Sequence, residues 1–118
     1  MGIQRQQCSV ATHTVGFNFV QACDGTEVIY FQDITDNHNK VLVQVFSTTT
    51  SEDCQMELVI NGTTSFIIPT AVVGNSGYFA VQVEDVKTVG IRCTCITGTC
   101  GNCSGFVAIQ KTFCICCP

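Results

Sequence analysis

The residues of this chain with the most evident chemistry are its ten cysteines, and seven of them fall between residues 93 and 118. They form the cluster "CTCITGTCGNC" and the C-terminal "CICCP". Thiolates bind soft metal ions, and pairs of thiols oxidise to disulfides within one chain or between chains. Ten cysteines in 118 residues reach the content that marks a disulfide framework or a metal cage. The chemistry of this chain is therefore expected to be that of sulfur.

The first of the two clusters permits a metal-site interpretation. Four thiols lie within eleven residues, at Cys93, Cys95, Cys100 and Cys103. The last three have the same spacing as the first three ligands of a plant-type [2Fe–2S] ferredoxin. The fourth ferredoxin ligand lies much further along the chain, whereas Cys114 follows after only eleven residues. Structural zinc sites use pairs with two to four intervening residues, and Cys93 and Cys95 have one. We keep a small metal or iron–sulfur domain as an alternative and expect no cofactor.

Disulfides are the preferred interpretation. Ten cysteines allow up to five bridges inside one chain, and the sequence does not give their connectivity. A domain of this length can bury a core without help, so a role beyond stabilising the fold is expected. The candidates for bridges within the chain are Cys54, Cys93, Cys95 and Cys100.

Thiols near both chain ends favour bonds between chains. Cys8 lies in a polar N-terminal segment, and three further thiols lie in the C-terminal tail, outside the predicted domain. Such thiols are poorly placed to close one fold and well placed to link neighbours. The candidates on this ground are Cys8, Cys114, Cys116 and Cys117.

The elements that position these thiols are predicted to be β-strands, because apolar residues alternate along the chain and helical periodicity is absent. In "CQMELVI" the residues Cys54, Met56, Leu58 and Ile60 share one face, and "KVLVQVF" at 40–46 indicates a strand buried on both faces. Asn61-Gly62 predicts a hairpin turn, and Pro69 should end a strand or lie at a sheet edge. Eight strands are predicted, at about 14–22, 27–34, 40–47, 53–60, 64–69, 77–84, 87–95 and 104–113.

Eight short strands at this spacing favour an all-β fold, an eight-stranded jelly roll or β-sandwich. We assign the domain to residues 14–113, with residues 1–13 as a flexible N-terminal connector arm and residues 114–118 as a cysteine-rich tail. Thirteen extended residues reach roughly 43 Å, which exceeds the radius of a small domain.

The composition indicates which classes of binding partner are to be expected. Only 12% of residues are charged and the net charge is −4, so nucleic acid is not an expected partner. No apolar run has the roughly 20 residues of a membrane helix, and the N-terminus lacks the apolar core of a secretory signal. His13 and His38 have no acid in a triad pattern, and an enzyme is not expected. Low charge favours self-association, which makes copies of the chain the expected partner.

A polar cysteine-bearing arm followed by an eight-stranded domain resembles the subunits of bacterial endospore appendages, the Ena family of spore-surface fibres. Cys8 and Cys23, fifteen residues apart, match the connector cysteine and the cysteine at the start of the body. "GYFAVQVEDVKTVGI" at 77–91 and "CSGFVAI" at 103–109 are similar to later strands of that family.

The resemblance implies a jelly-roll protomer that pairs with neighbours at its sheet edges, and a connector that docks on another subunit and is locked by disulfides. Cys8 is then the donor thiol, Cys23 the matched acceptor, and Cys103 or Cys114 a second acceptor. The connector here has one cysteine where the family often has an adjacent pair. The inward cysteine of the family's last strand falls near Val107 here, which has no thiol.

The resemblance further implies synthesis in the mother-cell cytoplasm without a signal peptide, and an extracellular location on the spore surface. The expected product is a homopolymeric fibre, helical or made of stacked rings, with a spore-surface anchoring protein as a further partner. Cysteine-rich coat or exosporium proteins end in similar tails, so a spore-coat lattice is the alternative.

Overall fold

The chain folds into β-strands throughout its described parts. The structure, a computed structural model, describes residues 10–33, 38–49, 53–71, 77–96 and 101–114, except for the side chains of residues 10 and 114. No helix in these ranges is long and apolar enough to cross a membrane. The strands are β1 Val10–Ala22, β2 Asp24–Gln32, β3 Asn39–Ser47, β4 Cys54–Ile60, β5 Thr64–Ile68, β6 Tyr78–Glu84, β7 Thr88–Cys95 and β8 Asn102–Cys114.

The strands form two antiparallel sheets of four, which confirms the predicted all-β sandwich of eight strands. Sheet A has the order β1-β8-β3-β6, and sheet B has the order β2-β7-β4-β5. Successive strands cross from one sheet to the other except at the β4–β5 hairpin. This winding is that of a jelly roll. It leaves β1 and β6 at the edges of sheet A, and β2 and β5 at the edges of sheet B.

The longest pairing in the fold joins the two ends of the domain. β1 and β8 pair over thirteen residues, from Val10 opposite Cys114 to Ala22 opposite Asn102. Val10 and Cys114 therefore lie together at one end of the sandwich, which we call the terminal end. Cys23 and Cys103 lie at the other end, which we call the cysteine end.

The local signals predicted most strand limits to within a few residues. Asn61 and Gly62 form the β4–β5 turn with φ of 55° and 71°, a left-handed conformation that Asn and Gly tolerate. β5 ends at Ile68, directly before Pro69. The predicted start of β1 at 14 is too late, because residues 10–13 pair with the end of β8. The predicted arm before Val10 lies outside the described residues.

The core lies between the sheets and follows the predicted alternation. Met56 and Leu58 of β4 and Val41, Val43 and Val45 of β3 have no exposed surface. The prediction that β3 is buried on both faces is wrong. Its opposite face carries half-buried Leu42 and Gln44 and ends in Phe46, which is 45% exposed. The reason is that this face of sheet A points away from sheet B.

A buried polar network closes the terminal end. Lys111 Nζ of β8 lies 2.5 Å from Asp33 Oδ2, and their side chains are only 13% and 3% exposed. Asn39 Nδ2 donates to the same carboxylate at 3.0 Å, and Asn39 Oδ1 accepts from the Val86 N–H at 2.9 Å. The network joins β8, the start of β3 and the loops after β2 and β6. Because these groups are largely buried, removal of one of them leaves a buried charge or polar atom without its ion-pair or hydrogen-bond partner.

We expect Lys111→Met to lower the free energy of unfolding by about 3–5 kcal/mol, because it leaves the buried Asp33 carboxylate without its cation. Lys40→Met is the matched control. Lys40 pairs with Glu84 at 3.9 Å with both side chains more than 60% exposed, so its loss should cost less than about 1 kcal/mol. Urea unfolding at neutral pH measures both. Equal values for the two variants would contradict the role assigned to this network.

We also expect Gly105→Ala to destabilise the fold by about 1–3 kcal/mol, because an added methyl group would overpack the core. It would meet the Phe46 carbonyl oxygen and lie 3.1 Å from the Phe19 ring. Gly101→Ala is the control, since its methyl group would meet no atom of the described residues within 4 Å. Its unfolding free energy should change by less than about 0.5 kcal/mol. If Gly105→Ala has the same melting temperature as wild type, the surrounding residues accommodate the methyl group without cost, and the prediction is wrong.

Candidate functional site

The candidate functional site is a cluster of four cysteines at the cysteine end, Cys23, Cys54, Cys93 and Cys103. Cys23 is the residue that connects β1 of sheet A to β2 of sheet B, and Cys103 lies near the start of β8 in sheet A. Cys54 begins β4, and Cys93 lies near the end of β7, both in sheet B. The cluster therefore joins the two sheets.

Inward alternation explains why these side chains meet. Met56 is paired with Cys93 across β4 and β7, and Cys54 and Cys93 therefore project from the same inner face of sheet B. Cys103 projects from the inner face of sheet A with Val107 and Ile109, all fully buried. The Cys23 N–H donates to the Gly101 carbonyl at 3.3 Å, which holds the β1–β2 corner against the start of β8.

The four sulfur atoms all lie within 4.8 Å of one another. Cys23 Sγ is 3.2 Å from Cys54 Sγ and 3.4 Å from Cys103 Sγ. Cys93 Sγ lies at bonding distance from both Cys23 and Cys103, and their Cα atoms are 4.5 and 6.0 Å from that of Cys93. A sulfur atom in a disulfide has one sulfur partner, so these are two alternative bridges. The four sulfurs of the cluster are thus close enough for more than one pairing.

Exposure differs within the cluster. Cys54, Cys93 and Cys103 are 3%, 0% and 0% exposed, whereas Cys23 is half-buried. An incoming group from outside the domain therefore meets Cys23 first. Cys54 takes part in neither of the two bridges.

The surroundings of Cys23 are ordered by short-range hydrogen bonds. The Thr26 N–H donates to Asp24 Oδ1 at 3.0 Å, and this bond together with one from the Thr26 side chain lowers the pKa of the Asp24 carboxyl. On the inner side, the Tyr30 hydroxyl donates to Gln21 Oε1 at 2.8 Å, and burial raises the pKa of Tyr30. The corner beside Cys23 thus keeps an ionised carboxylate on its outer side.

The structure regroups the cysteines that the sequence suggested as a metal set. Cys93 and Cys103 are together, but with Cys23 and Cys54 rather than with Cys95. Cys95 is engaged in a disulfide and pairs across the sheet with Cys54. Cys8, Cys100, Cys116 and Cys117 lie outside the described residues, and only the backbone of Cys114 is described. One sequence feature could have identified the cluster. Each of its members lies at or near the end of a strand, at a position whose side chain points toward the core.

The two histidines have simple surroundings. His13 makes an edge contact with Phe113 at 5.1 Å between ring centroids. His38 Nδ1 lies 2.8 Å from Asp85 Oδ1, a partner that the sequence did not suggest. His38 and Asp85 line a groove of about 410 Å³ at the terminal end, together with Lys40, Glu84 and Phe113.

Comparison with known proteins gives structural matches only. No family model and no curated protein matches the sequence. A solved structure of a Bacillus endospore appendage, from a family of disulfide-linked pili, superposes with a TM-score of 0.69 at 14% identity. The match covers 98% of this chain and 97% of that chain.

Two structures of infectious bursal disease virus are also similar. The Gx strain structure has a TM-score of 0.56 at 12% identity, and the VP2 subviral particle has a TM-score of 0.53 at 11% identity. These two matches cover 92% and 91% of this chain but only 32% and 33% of the viral chains. The appendage match, by contrast, extends over both chains. The chain therefore shares its fold, over nearly its whole length, with the subunit of a disulfide-linked endospore pilus.

Proposed function

We propose that the chain is a structural subunit that assembles with copies of itself into an extracellular, disulfide-crosslinked fibre on the endospore surface. The N-terminal connector arm of one protomer docks at the cysteine end of the next, and Cys8 of the first bonds to Cys23 of the second. The shared fold with a disulfide-linked pilus subunit supports this class of function.

The observation that carries the proposal is the length of β1. Its thirteen residues, from Val10 to Ala22, span about 40 Å at about 3.3 Å per residue. Cys8 is two residues before Val10, and two peptide units reach at most about 8 Å. Two peptide units therefore cannot bring Cys8 closer than roughly 30 Å to Cys23 of its own chain while β1 is formed, whereas disulfides need Cα atoms within about 7 Å. A Cys8–Cys23 bond must join two chains.

Donor and acceptor at opposite ends define the symmetry of the assembly. A bond between the terminal end of one protomer and the cysteine end of the next is head-to-tail, and the same bond is available again at each new end. Head-to-tail contacts that do not close into a ring give filaments. A fibre follows from this arrangement without any additional protein.

The bond itself is formed by thiol–disulfide exchange. The Cys8 thiolate attacks Cys23 Sγ in the Cys23–Cys93 bridge, the new bond is Cys8–Cys23, and Cys93 leaves as a thiolate. The number of disulfides is unchanged, so the step needs no oxidant. Cys23 is the half-buried member of the cluster, which suits it to attack from outside.

Lateral contacts are supported by apolar surface on the edge strands. All four edge strands carry exposed apolar side chains: Val15 and Val20 on β1, Ile29 on β2, Ile67 on β5 and Tyr78 on β6. Exposed edges with apolar side chains are templates for pairing with another sheet. On the outer face of sheet A, Phe46 is the cross-strand neighbour of both Tyr78 and Phe106, and the three form an aromatic row.

A mixture of two variants tests the covalent link. Cys8→Ser retains an acceptor and no donor, and Cys23→Ser retains a donor and no acceptor. We expect neither alone to form the Cys8–Cys23 link, and an equal mixture to form covalent dimers in which Cys8 of one variant bonds Cys23 of the other. Non-reducing gel electrophoresis and peptide mapping measure this, and Ser9→Ala is the control that should polymerise as wild type does.

Wild-type chains that remain monomeric on the non-reducing gel, with Cys8 bonded to a C-terminal cysteine of its own chain, would contradict the proposal. Electron microscopy of the wild-type product then distinguishes fibres from a coat lattice, which would appear as flat sheets.

The aromatic row gives a separate prediction for lateral association. Phe46→Lys places a charge on a side chain that is 45% exposed and should leave the domain folded while it reduces fibre yield at least several-fold. Gln110→Lys adds the same charge to exposed β8 surface outside the row and is the control. Electron microscopy counts the fibres, and equal yields from the two variants would show that the row takes no part in assembly.

A further inference from the structure

We propose that the four-cysteine cluster is a zinc site in the reduced chain, with Cys23, Cys54, Cys93 and Cys103 as the four thiolate ligands. The sequence alone led us to expect no metal, because the local spacing of the cysteines is not that of a zinc site. The fold assembles the ligands from four separate elements instead. This inference does not depend on the proposed fibre, since it concerns the reduced single chain.

The distances suit a thiophilic ion. Zinc binds four thiolates at about 2.3 Å in a tetrahedron, which places the sulfurs about 3.8 Å from each other. The four Sγ atoms lie within 4.8 Å of one another, with Cys23 at 3.2 and 3.4 Å from Cys54 and Cys103. Small χ1 rotations of these side chains open the cluster to the tetrahedral separation.

Burial also favours a metal over four free thiols. Three of the four ligands are at most 3% exposed, which excludes water and hard oxygen ligands from that side. Cys23 is half-buried and supplies the entry path for the ion. Because thiolates, not thiols, bind the metal, binding releases protons and weakens as the pH falls.

The ligand set also fits a structural role. Two strands of sheet B, one strand of sheet A and the corner between the sheets each supply one ligand. An ion bound by all four holds the two sheets together at the cysteine end without any disulfide. In the reduced chain it thus replaces the bridges that the same sulfurs make after oxidation, and it blocks Cys23 from exchange.

The test uses the full-length chain, kept reduced with a phosphine that binds zinc far more weakly than four thiolates do. We expect one zinc per chain, and with Co²⁺ as the probe the charge-transfer and ligand-field absorption of a tetrahedral tetrathiolate. Cys54→Ser should lose affinity by about 100-fold or more, since loss of a mere outer-shell partner already costs 10–100-fold. Cys95→Ser should bind as wild type does.

The two variants separate the structural cluster from the set that the sequence suggested, Cys93, Cys95, Cys100 and Cys103. Affinity lost in Cys95→Ser and retained in Cys54→Ser would overturn the assignment. So would Co²⁺ spectra without thiolate bands in wild type. Far-ultraviolet circular dichroism of each variant confirms that it is folded before binding is compared.

A second measurement does not depend on any variant. Zinc should protect Cys23, Cys54, Cys93 and Cys103 from alkylation in the reduced chain, while Cys8 continues to react, as read by mass spectrometry of peptides. Uniform alkylation with and without zinc would contradict the site. Since Cys8 takes no part in the cluster, failure of the fibre proposal would leave this result unchanged.

Discussion

The antiparallel pairing of β1 with β8 determines where the cysteines of the sandwich lie. It runs unbroken over thirteen residue pairs and places the first and last described residues, Val10 and Cys114, opposite each other. The same register places Gln21 opposite Cys103, so the β1–β2 corner and its Cys23 come to the start of β8. One ladder therefore separates Val10 and Cys114 from the four-cysteine cluster by the full length of β1.

This separation links the fold to its proposed use. If the connector thiol were near the cluster of its own chain, the simplest product of oxidation would be a closed monomer. A long strand between them makes that bond geometrically unavailable, and in the proposed fibre the same two thiols join chains in a line. The link along the proposed fibre is covalent, and the exposed apolar side chains on the edge strands are proposed to make weaker lateral contacts.

Much of the fold follows from local sequence signals. Alternation in "CQMELVI" puts Cys54, Met56, Leu58 and Ile60 inside, and Asn61-Gly62 turns the chain because both residues accept a left-handed conformation. Periodicity could not tell that one face of β3 lies on the surface, because which face is covered depends on the other sheet. The contact of Lys111 with Asp33 joins residues far apart in sequence and has no local signal. The same holds for the cysteine cluster, whose members are brought together only by the order of strands in two sheets.

Isotope mixing shows whether Cys8 bonds to Cys23 of another chain or of its own. Equal amounts of unlabelled and ¹⁵N-labelled protein are reduced, mixed, oxidised together and cleaved at Phe17 or Phe19, which lie between the two cysteines. The account predicts that half of the Cys8–Cys23 linked peptide pairs carry one labelled and one unlabelled partner. Linked pairs that are all uniformly labelled or uniformly unlabelled would show that the bond forms within one chain and would contradict the account.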